Sequence, residues 1–189
     1  MIRYNIKGFF LHQPSFFQVL VNDCDHLIPE SEIMYVALKG GHREYLICTE
    51  KNLYIVKRGY MTGHTFGANV FKLPYERISN VNIQKGFMGG YFQVVAPGVN
   101  LEEKAYWSSD HDKSPQHANN CISLPGETYY SAFAQASKFI SERIEAISNN
   151  KNVLVEDEAT KLEKYKKLLD ENIITQDEFQ KLKEKLLGL

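Results

Sequence analysis

The residues of this chain that could do chemistry are its histidines, cysteines and acids, and one grouping stands out: Asp110-His111-Asp112, with His117 and Cys121 further on. Imidazole, carboxylate and thiolate are all zinc ligands, and a structural site needs four of them converging on one point. The intervals here match no closed site, and Cys121 lies in an apolar run that should face a core. Asp23-Cys24-Asp25-His26 holds similar donors. A cysteine and a histidine two residues apart do not make a nucleophile and base without a third group to orient them. The glycines near Gly63 and Gly89 are not followed by Lys-Ser or Lys-Thr and stand between strand-like runs, so they form no phosphate loop. The expectation is a protein without catalytic residues, metal or cofactor.

Composition narrows the partners. The 189 residues suffice for one well-cored domain plus an appendage. The formal net charge is −1, and it is evenly spread. Residues 1–125 hold 12 basic and 11 acidic side chains, 126–150 hold 2 and 3, and 151–189 hold 8 and 9. No segment has the basic excess that binding a nucleic-acid backbone requires. Three scattered cysteines (Cys24, Cys48, Cys121) do not form a disulfide framework, and Cys48 and Cys121, inside apolar runs, read as buried thiols of a reducing compartment. No apolar run approaches the ~20 residues that span a bilayer, and Met1–Lys7 lacks the features of a signal peptide. A soluble, cytoplasmic protein is expected.

The elements that must position these residues are mostly strands. Pro14–Val21 fits a short helix with Pro14 in its first turn, or a strand, and the helix is the preferred reading. Ile33–Lys39 reads as a strand, and Arg43–Thr49 and Asn52–Arg58 then carry Tyr, Leu, Ile and Val in the pattern of pleated, half-buried strands. Gly59, Gly63 and Gly67 suggest a loop before a strand at Val70–Leu73. Ile78–Gln84, Tyr91–Ala96 and Asn120–Leu124 complete seven strands, with a long polar loop over Val99–Asn119. Seven short strands at hairpin spacing predict an antiparallel sandwich or barrel.

Two helical units follow. Phe133, Ala136, Ile140, Ile144 and Ile147 fall at helical intervals and form one apolar stripe, with Gln135, Lys138, Glu142 and Glu145 opposite. Such a helix fits the open end of a small barrel, and Ser148–Asn152 should end it as a polar linker. Beyond it, Leu162, Tyr165, Leu168 and Leu169 share a face. Thr175-Gln-Asp-Glu178 has the spacing of a capping box, flanked by Ile174 and Phe179 at the positions of a hydrophobic staple. Phe179, Leu182 and Leu186 continue as a seam, so the tail is an αα-hairpin.

Seven strands closed by one amphipathic helix is the plan of a pleckstrin-homology (PH) domain. Asn52-Leu-Tyr-Ile-Val-Lys-Arg-Gly59, Leu73-Pro-Tyr-Glu-Arg-Ile-Ser-Asn-Val81, Gly86-Phe-Met-Gly-Gly90, Tyr106-Trp107 and Asn119-Asn-Cys-Ile122 resemble the bacterial PH-like family. Leu168–Phe179 and Lys185-Leu-Leu187 resemble the short C-terminal (SHOCT) domain. The resemblance implies an α+β protein: a seven-stranded PH-like antiparallel barrel or sandwich capped by a helix, then a small αα-hairpin. It divides the chain into an N-terminal segment packed on the barrel (1–30), a PH-like domain (31–150) and a SHOCT-like hairpin (151–189).

It implies binding or oligomerisation and supplies no catalytic residue. Some PH domains grip inositol phosphates near the first hairpin, where this chain has Lys39 and Arg43 around Gly40-Gly41, with Lys57, Arg58 and Lys72 as further candidates. Glu44 and Glu50 dilute that set, and the plainer reading is solvated strand ends. Tyr60, Phe66, Phe87 and Trp107 lie in loops, either as anchors for a partner or packed back on their own domain. Ile174, Phe179, Leu182 and Leu186 are the candidate protein-interaction residues. The expected function is a binding or scaffolding module whose tail self-associates or docks a protein partner; the alternative is a membrane-surface adaptor for anionic head groups.

Overall fold

A computed structural model of the chain describes all residues except 1–4, 25, 61–63, 87–88, 100–103, 105–112, 155–157, 172 and 188–189. Two compact units emerge, Met1–Glu145 and Ala146–Leu189. The first contains β1 (Asn5–His12), α1 (Pro14–Cys24), β2 (Ile33–Lys39), β3 (Glu44–Thr49), β4 (Asn52–Gly59), β5 (His64–Pro74), β6 (Asn80–Gln84), β7 (Gly90–Val95) and β8 (Cys121–Leu124), followed by α2 (Glu127–Leu154), within which the boundary falls. The class is α+β. In place of a closed seven-stranded barrel, the described residues form two open sheets, ordered β1-β2-β3-β4-β5 and β6-β7-β8.

The additional strand is β1. It pairs with β2 in parallel, where an all-antiparallel arrangement was expected. Parallel neighbours cannot be joined by a tight hairpin. The Pro14–Cys24 helix supplies the crossover, lying over one face of the larger sheet. Leu20, Cys24 and Ile28 pack there against Met34, Ala37, Tyr45, Ile47, Tyr54 and Val56.

Alternation along β3 and β4 sends Leu46, Cys48, Leu53 and Ile55 to the opposite face, and these are buried too. The two central strands are therefore covered on both sides, which corrects the half-buried reading of their apolar runs. The second face meets the smaller sheet. Gly40 N donates to Glu44 O at 2.7 Å and Gly41 N to Ser123 O of β8 at 2.7 Å. A Cβ on Gly40 would stand 2.2 Å from Ile122 Cγ2, so this junction accepts only glycine without rearrangement. Phe133, Ala136 and Ile140 of α2 are fully buried, and Phe133 lies against Phe92 of β7 with ring centroids 5.5 Å apart.

Two boundaries differ from the sequence pattern. β5 begins at His64, in the expected glycine loop: Gly67 lies within the strand with a φ of +91°, where the pairing with β4 shifts register. α2 continues through Ser148–Asn152 to Leu154: these residues are weak helix formers, but no proline or glycine stops the helix. Most of the long polar loop lies outside the described residues.

The second unit contains α3 (Glu158–Asp170) and α4 (Gln176–Leu187). α3 ends where Ile173 N donates to Leu168 O at 2.9 Å. α4 begins at the expected capping box. Glu178 N donates to Thr175 Oγ1 at 3.3 Å, and Thr175 N donates back to the Glu178 carboxylate at 2.8 Å.

Candidate functional site

The five candidate cations do not form one surface cluster. Counting outward from the Glu50-Lys51 turn sets Glu44 directly opposite Lys57. Both side chains are 0% exposed, on the face turned toward the smaller sheet. Lys57 Nζ donates to Glu44 Oε1 at 2.9 Å and to the carbonyls of Pro115 and Gln116, each at 2.7 Å. The other Glu44 oxygen accepts from Ser123 N at 3.1 Å and from the Ser123 hydroxyl. Lys57 is thus withdrawn from any anion-binding surface: all three of its protons are used inside the fold. Hairpin register alone contains the signal for this pair, whereas the carbonyl contacts, nearly sixty residues distant, leave none.

Arg43 pairs with Asp23, the penultimate residue of α1, through Nε at 2.8 Å and a second contact from its terminal nitrogen. Tyr45 also donates to Asp23. Lys72 Nζ lies 3.7 Å from Glu32 and 5.1 Å from the centre of the Tyr54 ring. Lys39 Nζ donates to Gly40 O at 3.1 Å and sits 5.1 Å from the Phe16 ring centre. Arg58 is half-buried, with its Nε unpaired. Three of the five cations therefore already hold a carboxylate.

The partners of Asp23 and Glu32 leave no mark in the sequence, where Asp23 counts only among possible metal donors, because each acid works across about twenty residues. Glu32 accepts from the Thr49 hydroxyl, from Asn52 Nδ2 at 3.1 and 3.2 Å, and from Tyr54 Oη at 2.9 Å. Burial pushes both carboxyls up, but these bonds outweigh it and leave both below their ordinary values: Arg43 and Tyr45 act on Asp23, and Thr49, Asn52 and Tyr54 on Glu32. Together the two acids tie the end of α1 and the connection that follows it to β3 and β4.

All three cysteines are buried, and burial pushes the Cys48 and Cys121 thiols up to about 12. Thiols held protonated in this way are poor nucleophiles and poor metal ligands at neutral pH. The described residues contain no cluster of His, Cys, Asp and Glu able to hold a metal; Asp25 and Asp110-His111-Asp112 lie outside them. Tyr60 is 80% exposed. Phe87 and Trp107 lie outside the described residues, as does the side chain of Phe66.

The tail seam is built differently. Ile174, Phe179, Leu182 and Leu186 are half-buried, as are Leu162, Tyr165, Leu168 and Leu169. A cleft of about 290 Å³ opens between α3 and α4, lined by Leu162, Glu163, Lys166, Phe179 and Lys183. Ile173, beside the staple, is 64% exposed. No described side chain of this unit is buried.

Residues 160–187 match the family model of the Short C-terminal domain, so the tail carries a SHOCT domain. Solved structures similar to this chain include two from Shewanella. One is a DUF1696 family protein with a pleckstrin-homology domain from Shewanella loihica PV-4: 16% identical, covering 44% of this chain and 72% of that one, with a TM-score of 0.32. The other is a pleckstrin homology domain from Shewanella amazonensis SB2B: 17% identical, covering 44% and 67%, with a TM-score of 0.34. No curated protein matches the chain. No helix among the described residues is long and apolar enough to cross a membrane.

Proposed function

We propose that this chain is a non-catalytic binding module: a PH-like β-platform whose SHOCT tail brings it to a protein partner or to another copy of itself. The observation that carries this reading is the half-exposed seam of the tail. Two helices of 13 and 12 residues are short for independent stability, and an amphipathic hairpin with no fully buried side chain among its described residues gains most by covering its leucines elsewhere. The membrane alternative has less support. Lys57 is buried, and Arg43 and Lys72 face Asp23 and Glu32, so little positive charge remains for a head group.

Light-scattering mass at matched concentration tests the proposal on the intact protein, on a chain truncated after Asn150, and on Phe179→Asp. Self-association predicts a higher mass for the intact protein, lowered in both variants. Equal masses would remove the tail as the self-association element. Salt-sensitive binding to anionic vesicles, lost in Lys39→Glu with Arg43→Glu, would favour the membrane reading instead.

A further inference from the structure

A second surface, on the first unit, has the makings of a recognition site. Tyr35 of β2, Phe9 of β1, and Phe139 and Arg143 of α2 form one stack. The Phe9 and Phe139 centroids are 6.1 Å apart with rings 17° from parallel, and Tyr35 and Phe139 are 5.6 Å apart. The Arg143 guanidinium carbon lies 4.8 Å from the Tyr35 ring centre and 5.2 Å from that of Phe139. Two aromatic rings thus fix the position of the cation, at a distance where cation–π attraction is effective. None of the described residues accepts a hydrogen bond from this guanidinium or pairs with it as a carboxylate. Beside it, Phe9 is 58% exposed.

An arginine stacked in this way loses little freedom when it binds, because its rotamer is already set, and its planar fork suits a carboxylate. Exposed aromatics beside arginine are the residue types that dominate protein interfaces. We propose that Phe9, Tyr35, Phe139 and Arg143 bind a partner protein's peptide segment in which an aspartate or glutamate adjoins an aromatic or large aliphatic side chain. The carboxylate meets Arg143 and the apolar group covers Phe9. A membrane fits this surface less well. A bilayer would gain only about 1 kcal/mol from one such cation, whereas a single carboxylate can take the planar fork of Arg143 in two parallel hydrogen bonds.

Selection of a random heptapeptide library displayed on phage against the intact protein tests the proposal. Arg143→Gln, Arg143→Lys and Phe9→Ser serve as comparisons, each first checked for unchanged circular dichroism. The expected result is enrichment of peptides pairing Asp or Glu with Phe, Tyr, Trp or Leu. Their affinity should fall by roughly tenfold or more in Arg143→Gln, the scale of a lost hydrogen bond to a charged group, and by less in Arg143→Lys. No enrichment, or enrichment of peptides without a carboxylate, would overturn it. So would equal binding to Arg143→Gln, or an Arg143-dependent association with phosphatidylserine vesicles in place of peptides.

Discussion

The β3–β4 hairpin and the α3–α4 hairpin are both two-element units joined by a short connection, yet their surroundings are opposite. From Glu44 to Thr49 every side chain is buried, and the same holds from Asn52 to Lys57. Even the ionic residues there are paired. In the helical hairpin no described side chain is buried, and the strongest local feature is a capping box at the surface. The first hairpin is held by what surrounds it. The second is held by its own local signals. The deepest burial belongs to the first hairpin and the clearest local helix signal to the second.

The sharpest way to break this comparison is Lys57→Met. It leaves Glu44 buried without its cation, which costs about 3–5 kcal/mol when one partner of a buried pair is removed. Urea denaturation should register a loss of that order, and Lys57→Met combined with Glu44→Leu should recover much of it. A loss below about 1 kcal/mol would mean that water reaches the pair and that the hairpin interior is less closed than described.

Acid should act next most strongly, again on the first unit. Asp23 and Glu32 have folded values below their unfolded ones. Their contribution is complete above the ordinary carboxylate range, near pH 4, and disappears as pH falls through the folded values. Stability measured from pH 7 down to 3 should decline. Asp23→Asn and Glu32→Gln should each flatten that decline while lowering stability at neutral pH. A variant with an unchanged acid limb would show that its carboxylate is not bonded as described.

Thr175→Ala should have the smallest effect. It removes the hydroxyl that accepts from Glu178 N, so circular dichroism should report reduced helicity. The main unfolding transition should stay in place. If that transition moves with the cap, the two hairpins unfold together and the contrast between them fails.

What the sequence revealed follows the same division. The capping box and the α2 stripe were legible because each depends on residues three or four apart. β2, β3 and β4 were legible because their Tyr, Ile, Leu and Val runs are bounded by turn residues. β1 was not: Asn5–His12 does not alternate cleanly, and its parallel pairing depends on a crossover that only the folded chain supplies. Lys57 reads as a surface cation when charge is taken without register, although the two-residue turn at Glu50-Lys51 places Glu44 across from it. The partners of Asp23 and Glu32 were missed because they stand about twenty positions away.

One feature of β1 bears on how the protein behaves in crowded solution. β1 is an outer strand of the larger sheet, and Gly8, with a φ of +69°, interrupts its pairing between Ile6 and Leu11. A regular outer strand presents an unbroken row of amide and carbonyl groups on which another chain can template fibrillar growth. Here the bulge breaks that row midway, so β1 offers a newcomer the ring of Phe9 but no continuous backbone ladder to extend.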